Sequence, residues 1–257
     1  MALELTVVDA FTDRPYAGNP AAVALVDEFP PDDEMQLIAR EMNLSETAFA
    51  RPRPDGDHDL RWFSPAVEID LCGHATLATA HLLGGRGSFM TRSGLLTCEP
   101  GEDGWIEMDF PADPPTEAPM PGSLDIAGVR WCGRGRFDLL VELGEAEDVR
   151  DFRPDLPAMA GLDVRGVIVT AAGDRDGIDC VSRVFAPAVG IGEDPATGSA
   201  HCTLGPFWST RTGRARLVGE QASARGGTIR MRVAGDRVIL GGRAVTVSRV
   251  RLLVAGP

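Results

Sequence analysis

Two short stretches of this 257-residue chain hold most of the side chains that could do chemistry. Cys72, Gly73 and His74 form "CGH" at the head of an apolar run, and Asp194, Thr197, Gly198 and Ser199 lie in "EDPATGS" before another. A helix that starts at such a glycine presents unpaired backbone N–H groups and a positive dipole end, which together bind anions such as carboxylates. Glycine also lets a ligand come close to the backbone. Helix capping by Ser199, by Asp70 or by Thr197 would account for either turn alone. Their recurrence favours anion binding.

The recurrence is a duplication. Arg61, Phe63, Pro65, Ala66, Val67 and Ile69 reappear 122 residues later as Arg183, Phe185, Pro187, Ala188, Val189 and Ile191. After three inserted residues, Gly73 and Ala75 match Gly198 and Ala200. The copies differ where chemistry would lie: Cys72 and His74 correspond to Thr197 and Ser199, and the inserted "EDP" brings Asp194 close to Ser199. Shared backbone with individual polar groups suits an asymmetric substrate held in a cleft that both halves line.

A candidate base lies in "LSETAFA", residues 44–50. Strand alternation puts Glu46 on the same face as Leu44, Ala48 and Ala50. Aligning Thr47-Ala48 with Thr170-Ala171 sets Glu46 opposite Val169, which predicts an inward carboxylate without a twin. A carboxyl group withdrawn from water is a usable proton shuttle near neutral pH. No metal is expected, because neither Cys72-x-His74 nor His201-Cys202 has the usual zinc-ligand spacing. Ser199 also lacks the G-x-S-x-G context of a hydrolase nucleophile.

The elements that must position these groups are mostly short strands. Residues 58–64 read as a strand, "PAVEIDL" as a loop, and "CGHATLATAHLLGG" as an apolar helix stopped by Gly84. The second half repeats this, with a helix near residues 199–210 that Pro206 should weaken or kink. Many strands around one apolar helix per half imply an α+β protein of two pseudo-symmetric halves, each a curved sheet or barrel around its helix. Five prolines in residues 111–121 mark a linker. The expected halves are residues 1–112 and 122–242, and the last strand, about 243–257, could close either half.

Composition narrows the function. A net charge of −13 argues against nucleic acid and anionic membranes as partners. All 25 basic residues are Arg. Without lysine, neither a pyridoxal Schiff base nor a Walker A loop can form. Five widely spaced cysteines and no basic leader point to reduced thiols in the cytoplasm.

The stretches "VDAFTDRPYAGNPAAV", "NLSETAF", "RWFSPAVEIDLCGHATLA", "GVIVTAA" and "SRVFAPAVGIGEDPATGSAHC" resemble the phenazine-biosynthesis PhzF-like family. The resemblance implies the diaminopimelate epimerase-like fold, a homodimer and no cofactor. It makes Glu46 the catalytic acid/base and His74, Asp194 and Ser199 its companions, with Asn19, Cys72, Gly73, Thr197 and Gly198 holding substrate. The implied reaction is an isomerisation that moves a proton between carbons of a small carboxylate-bearing molecule. Two alternatives stand beside it: an amino-acid epimerase, or a binding protein without turnover. Epimerases of this fold use two cysteines; Cys72 holds the first position, but Thr197 holds the second, and a hydroxyl is too weak an acid to replace a thiolate.

Overall fold

The computed structural model describes residues 2–253. The described chain forms two compact units, one from residues 2–109 and 241–253 and the other from residues 110–240.

The first unit begins with β1 (Ala2–Ala10), β2 (Asn19–Leu25), α1 (Asp32–Met42), β3 (Glu46–Pro52) and β4 (His58–Phe63). β5 (Glu68–Ile69), α2 (Gly73–Leu82), β6 (Gly87–Thr91), β7 (Gly94–Pro100) and β8 (Ile106–Pro111) follow. Here β2 and β3 run parallel, β3 and β4 antiparallel, β4 and β6 parallel, β6 and β7 antiparallel. Helix α2 is buried on every side from Gly73 to Ala80. A helix apolar all round is one that a core must surround.

Helix α1 escaped the sequence reading, although its signals are ordinary. Asp32, Asp33 and Glu34 fill its first turn, where negative charge suits the helix dipole. Asn43 ends it in the left-handed conformation. Met35, Ile38 and Ala39 sit on one face and pack with Leu5, Phe49 and Phe63.

The second unit contains β9 (Thr116–Glu117), β10 (Trp131–Arg134), β11 (Asp138–Glu142), α3 (Ala146–Arg150), α4 (Leu156–Ala160), β12 (Gly166–Ala172) and β13 (Cys180–Ala186). It continues with β14 (Ile191–Asp194), α5 (Gly198–Thr212), β15 (Arg216–Gln221), β16 (Gly227–Ala234) and β17 (Arg237–Gly242). The ladder β11–β12–β13–β15–β16 is again parallel, antiparallel, parallel, antiparallel. The duplication read from eight identities is therefore a duplication of topology. Both units are α+β, with mixed sheets rather than closed barrels.

The proline-rich stretch 111–121 is hydrogen-bonded into the second unit. Pro206 lies inside α5, which nevertheless runs unbroken from Gly198 to Thr212. Proline has no N–H to give the carbonyl four residues earlier, here Cys202. That carbonyl accepts from the Asp113 N–H instead, at 3.0 Å. Ala112 donates to Asp236 and Ala118 to Cys132, and Thr116–Glu117 pairs with β10.

The last strand, β18 (Ala244–Leu253), pairs antiparallel with β1 in the first unit. A register shift between Val7 and Val8 marks a bulge. Residues 254–257 of the expected final strand lie outside the described residues. Among the described residues, no helix is long and apolar enough to cross a membrane.

Candidate functional site

In the first unit three elements bring side chains together. Glu46 opens β3, His74 is the second residue of α2, and Asn19 opens β2. Glu46, His74, Asn19 and Cys72 are all buried. Glu46 Oε2 and His74 Nε2 approach to 3.0 Å. They are not aligned as a hydrogen bond, and neither atom has another hydrogen-bonding partner. On the other side of the ring, Asn19 Nδ2 lies 3.3 Å and Cys72 Sγ 3.5 Å from Nδ1. With Asn19 donating to Nδ1, the ring proton of the neutral form sits on Nε2, facing Glu46.

Burial pulls the His74 imidazole down, but Cys72 and Glu46 outweigh it and hold the ring well above the usual histidine range. Burial pushes the Cys72 thiol up, so it stays protonated at neutral pH. The negative partner that matters to His74 is therefore Glu46. Once protonated on both nitrogens, the ring calls for an acceptor at Nδ1.

In the second unit the turn before α5 is braced from within. Thr197 Oγ1 donates to Asp194 Oδ2 at 2.5 Å. Gln221, fully buried on β15, accepts from the Thr197 N–H at 2.8 Å and donates to the Asp194 carbonyl at 2.7 Å and to Thr197 Oγ1 at 3.1 Å. His201 lies one turn into α5, 2.8 Å through Nδ1 from the Thr197 carbonyl. Gly198 is buried, whereas Ser199 remains partly exposed. Neither α2 nor α5 has a capping side-chain hydrogen bond, so the capping explanation offered for the two turns does not hold.

The residue opposite Glu46 in the second unit is corrected by the ladders. Thr47 pairs with Phe63, and Val167 pairs with Phe185, the duplicate of Phe63. Ala21 pairs with Glu46 where Asp138 pairs with Gly166. Glu46 therefore corresponds to Gly166, not to Val169. The repeated Thr-Ala dipeptide is out of register by three residues, because identity of two small residues constrains alignment less than a hydrogen-bonded ladder does. Glu46 still has no twin. A β-carbon on Gly166 would stand 3.3 Å from Asp138 Oδ1, so the second unit's carboxylate enters from the neighbouring strand. There it is neutralised by Arg165, whose Nε lies 3.0 Å from Oδ1. Sequence reading missed this pair and Gln221. Leu217, Gly219 and Gln221 alternate inward along β15, and a glutamine in such a series is the signal that was there to find.

A strand carboxylate thus faces an imidazole across a helix start, in an α+β chain built twice over. The model of the phenazine biosynthesis-like family matches residues 8–250. The chain is 44% identical over 266 residues to an uncharacterised isomerase of Halalkalibacterium halodurans, covering 99% of this chain and 100% of that one. Its fold matches the crystal structure of a PhzF-family phenazine biosynthesis protein from Enterococcus faecalis with a TM-score of 0.93 and 39% identity, covering 99% and 100% of the two chains. A predicted epimerase of Pseudomonas aeruginosa matches with a TM-score of 0.74 and 25% identity, covering 98% and 100%. The chain belongs to the phenazine biosynthesis-like, or PhzC-PhzF, family, a family of isomerases.

Proposed function

We propose that the protein is a cofactor-independent isomerase in which Glu46 takes a proton from one carbon of a small carboxylate-bearing substrate and returns it to another on the same face. The observation that carries this reading is the buried Glu46–His74 approach of 3.0 Å, in which both facing atoms have hydrogen-bonding capacity to spare. A base must lie within hydrogen-bond reach of the proton it takes, and a carboxylate already satisfied by protein donors is a poor one. His74 would stabilise the ionised form of Glu46 before the first transfer and after the second, with Asn19 and Cys72 holding the ring. Gly73 supplies backbone N–H groups at the start of α2 for a substrate carboxylate.

Two-thiol epimerisation is the weaker reading. Cys72 is protonated at neutral pH, and the hydroxyl of Thr197 is already committed to Asp194. A binding protein without turnover would have no use for a buried carboxylate beside an imidazole, since burying such groups carries a desolvation cost.

The test is proton NMR in D₂O with a dihydro-hydroxyanthranilate and a panel of amino acids. Wild type should introduce deuterium at carbon, and Glu46→Gln should slow this by about 10²–10⁴-fold, the range of a positioned general base. Exchange that persists in Glu46→Gln at the wild-type rate removes Glu46 from the mechanism. Tight binding without any exchange supports the binding-protein reading.

A further inference from the structure

The hairpin that leads into Asn19 differs between the two units. Strands β2 and β11 correspond, because Ala21 pairs with Glu46 where Asp138 pairs with Gly166. Each pairs antiparallel with the strand before it. In the second unit that hairpin turns in three residues, Gly135 to Phe137; in the first it takes eight, Phe11 to Gly18. The long connection lies in the unit that brings Glu46 and His74 together, and it ends at Asn19, whose Nδ2 is 3.3 Å from His74 Nδ1. We propose that Asp9 is a positioning residue for this site: its buried carboxylate grips the connection by the Tyr16 N–H and so sets Asn19 against the imidazole. This rests on the reading of Glu46 and His74 given above, because Asn19 serves that reading only through the ring.

The connection is strained at both ends. Phe11 has φ +62° and Tyr16 φ +67°, in the left-handed region. A residue with a large side chain stays there only when its surroundings hold it. Phe11 is held by burial: it fills the place that a β-carbon on Gly242 would need. The Thr12 N–H beside it donates to the Arg243 carbonyl at 3.1 Å. Tyr16 has no such burial, since its side chain is 82% exposed. Its backbone is held instead, with the N–H donating to Asp9 Oδ2 at 2.7 Å. Asp9 is only 2% exposed, and withdrawing a carboxylate from water is tolerated where hydrogen bonds offset the cost. A hydrogen bond to an ionised acceptor is also stronger than one to a neutral acceptor.

Strand alternation decides how Asp9 acts. Asn19 pairs with Ala10 and Pro20 with Asp9, so the Asp9 and Asn19 side chains leave opposite faces of the sheet. Asp9 therefore works from the far side, through the backbone of residues 16–18. That backbone is stiff enough to pass the hold on. Ala17 is buried, and Gly18, at φ +63°, lies so close to the Ala10 carbonyl and to Thr12 that no β-carbon fits. Release of the Tyr16 N–H lets the loop end relax, and Asn19, itself fully buried, moves with it.

The experiment reads Asn19 directly. The chain has two asparagines, Asn19 and the exposed Asn43, so the full-length protein labelled with ¹⁵N-asparagine gives two side-chain amide pairs in NMR. In wild type the Asn19 pair should exchange with water about tenfold or more slowly than the Asn43 pair. Asp9→Ala, checked for native circular dichroism, should shift the Asn19 pair and speed its exchange about tenfold or more. Asp9→Asn keeps an oxygen for the Tyr16 N–H and should leave the pair near its wild-type position. A purely structural Asp9 would lower stability to urea and leave the Asn19 pair where it is; that result in folded Asp9→Ala overturns the proposal. Equal shifts in Asp9→Ala and Asp9→Asn overturn it too, because the bond to Tyr16 would not be what holds Asn19. If Asp9→Ala does not fold, Asp9→Ser, whose hydroxyl is too short to reach the Tyr16 N–H, carries the same test. The readout needs no substrate. If Asn19 answers to Asp9 and wild type never exchanges deuterium, the isomerase reading fails while the grip of Asp9 on Asn19 stands. If exchange occurs and the Asn19 pair ignores Asp9, the reverse holds.

Discussion

His201 offers a measurable consequence of how the turn before α5 is built. The side chain is fully buried, its Nδ1 lies against the Thr197 carbonyl, and its Nε2 has no hydrogen-bonding partner. A β-carbon at Gly219 would stand only 3.0 Å from that nitrogen, so the strand packs directly on it. A second ring proton would have nowhere to go. Burial, only partly offset by the Thr197 carbonyl, accordingly pushes the His201 pKa down from 6.5 to about 4. The unfolded chain takes up this proton near pH 6.5, before the folded protein does. The group therefore contributes nothing above that pH, and stability is lost as pH falls from 6.5 towards 4. At about 1.4 kcal/mol per pH unit, the loss is about 2 kcal/mol at pH 5 and about 3 kcal/mol at pH 4. Urea unfolding of wild type and His201→Gln between pH 7 and pH 4 isolates this contribution, because every other titrating group is common to both proteins. Wild type should lose stability more steeply than the variant by that amount. Parallel pH profiles would show that the folded protein accommodates the imidazolium, and would refute the reasoning.

Two further outcomes follow from single contacts. Gln221→Leu leaves the Thr197 N–H and the Asp194 carbonyl without their glutamine partners, and each stranded buried group costs about 1–3 kcal/mol. Urea unfolding should show a loss of roughly 2–6 kcal/mol on that basis, and a loss under about 1 kcal/mol would mean that Gln221 does not brace the turn. Gly18 has φ +63°, and a β-carbon there would lie 2.1 Å from the Ala10 carbonyl oxygen, immediately before Asn19. Gly18→Ala should therefore lower stability by more than about 1 kcal/mol and reduce deuterium exchange by displacing Asn19; native stability together with native exchange would dismiss the strain.

The sequence by itself determined the duplication, the α+β class and the two helix starts. Those features are written in local chemistry: residue identities at a fixed spacing, period-two strands, apolar runs closed by glycine, and prolines that forbid regular structure. It also picked out Glu46, because a carboxylate on the apolar face of a strand is conspicuous in one dimension. It could not set the register of the two halves, since strand pairing depends on hydrogen bonds between residues far apart in the chain. Hence Val169 stood where Gly166 belongs, and the Asp138–Arg165 pair went unseen. Nor could it show what Pro206 does, because the carbonyl freed at Cys202 is taken by Asp113, 89 residues earlier. Only the tertiary structure decided that Glu46 meets His74 through Nε2 while Asn19 and Cys72 stand at Nδ1. The side of an imidazole that faces a carboxylate is set by the packing of a helix against two strands, and no spacing in the chain encodes it.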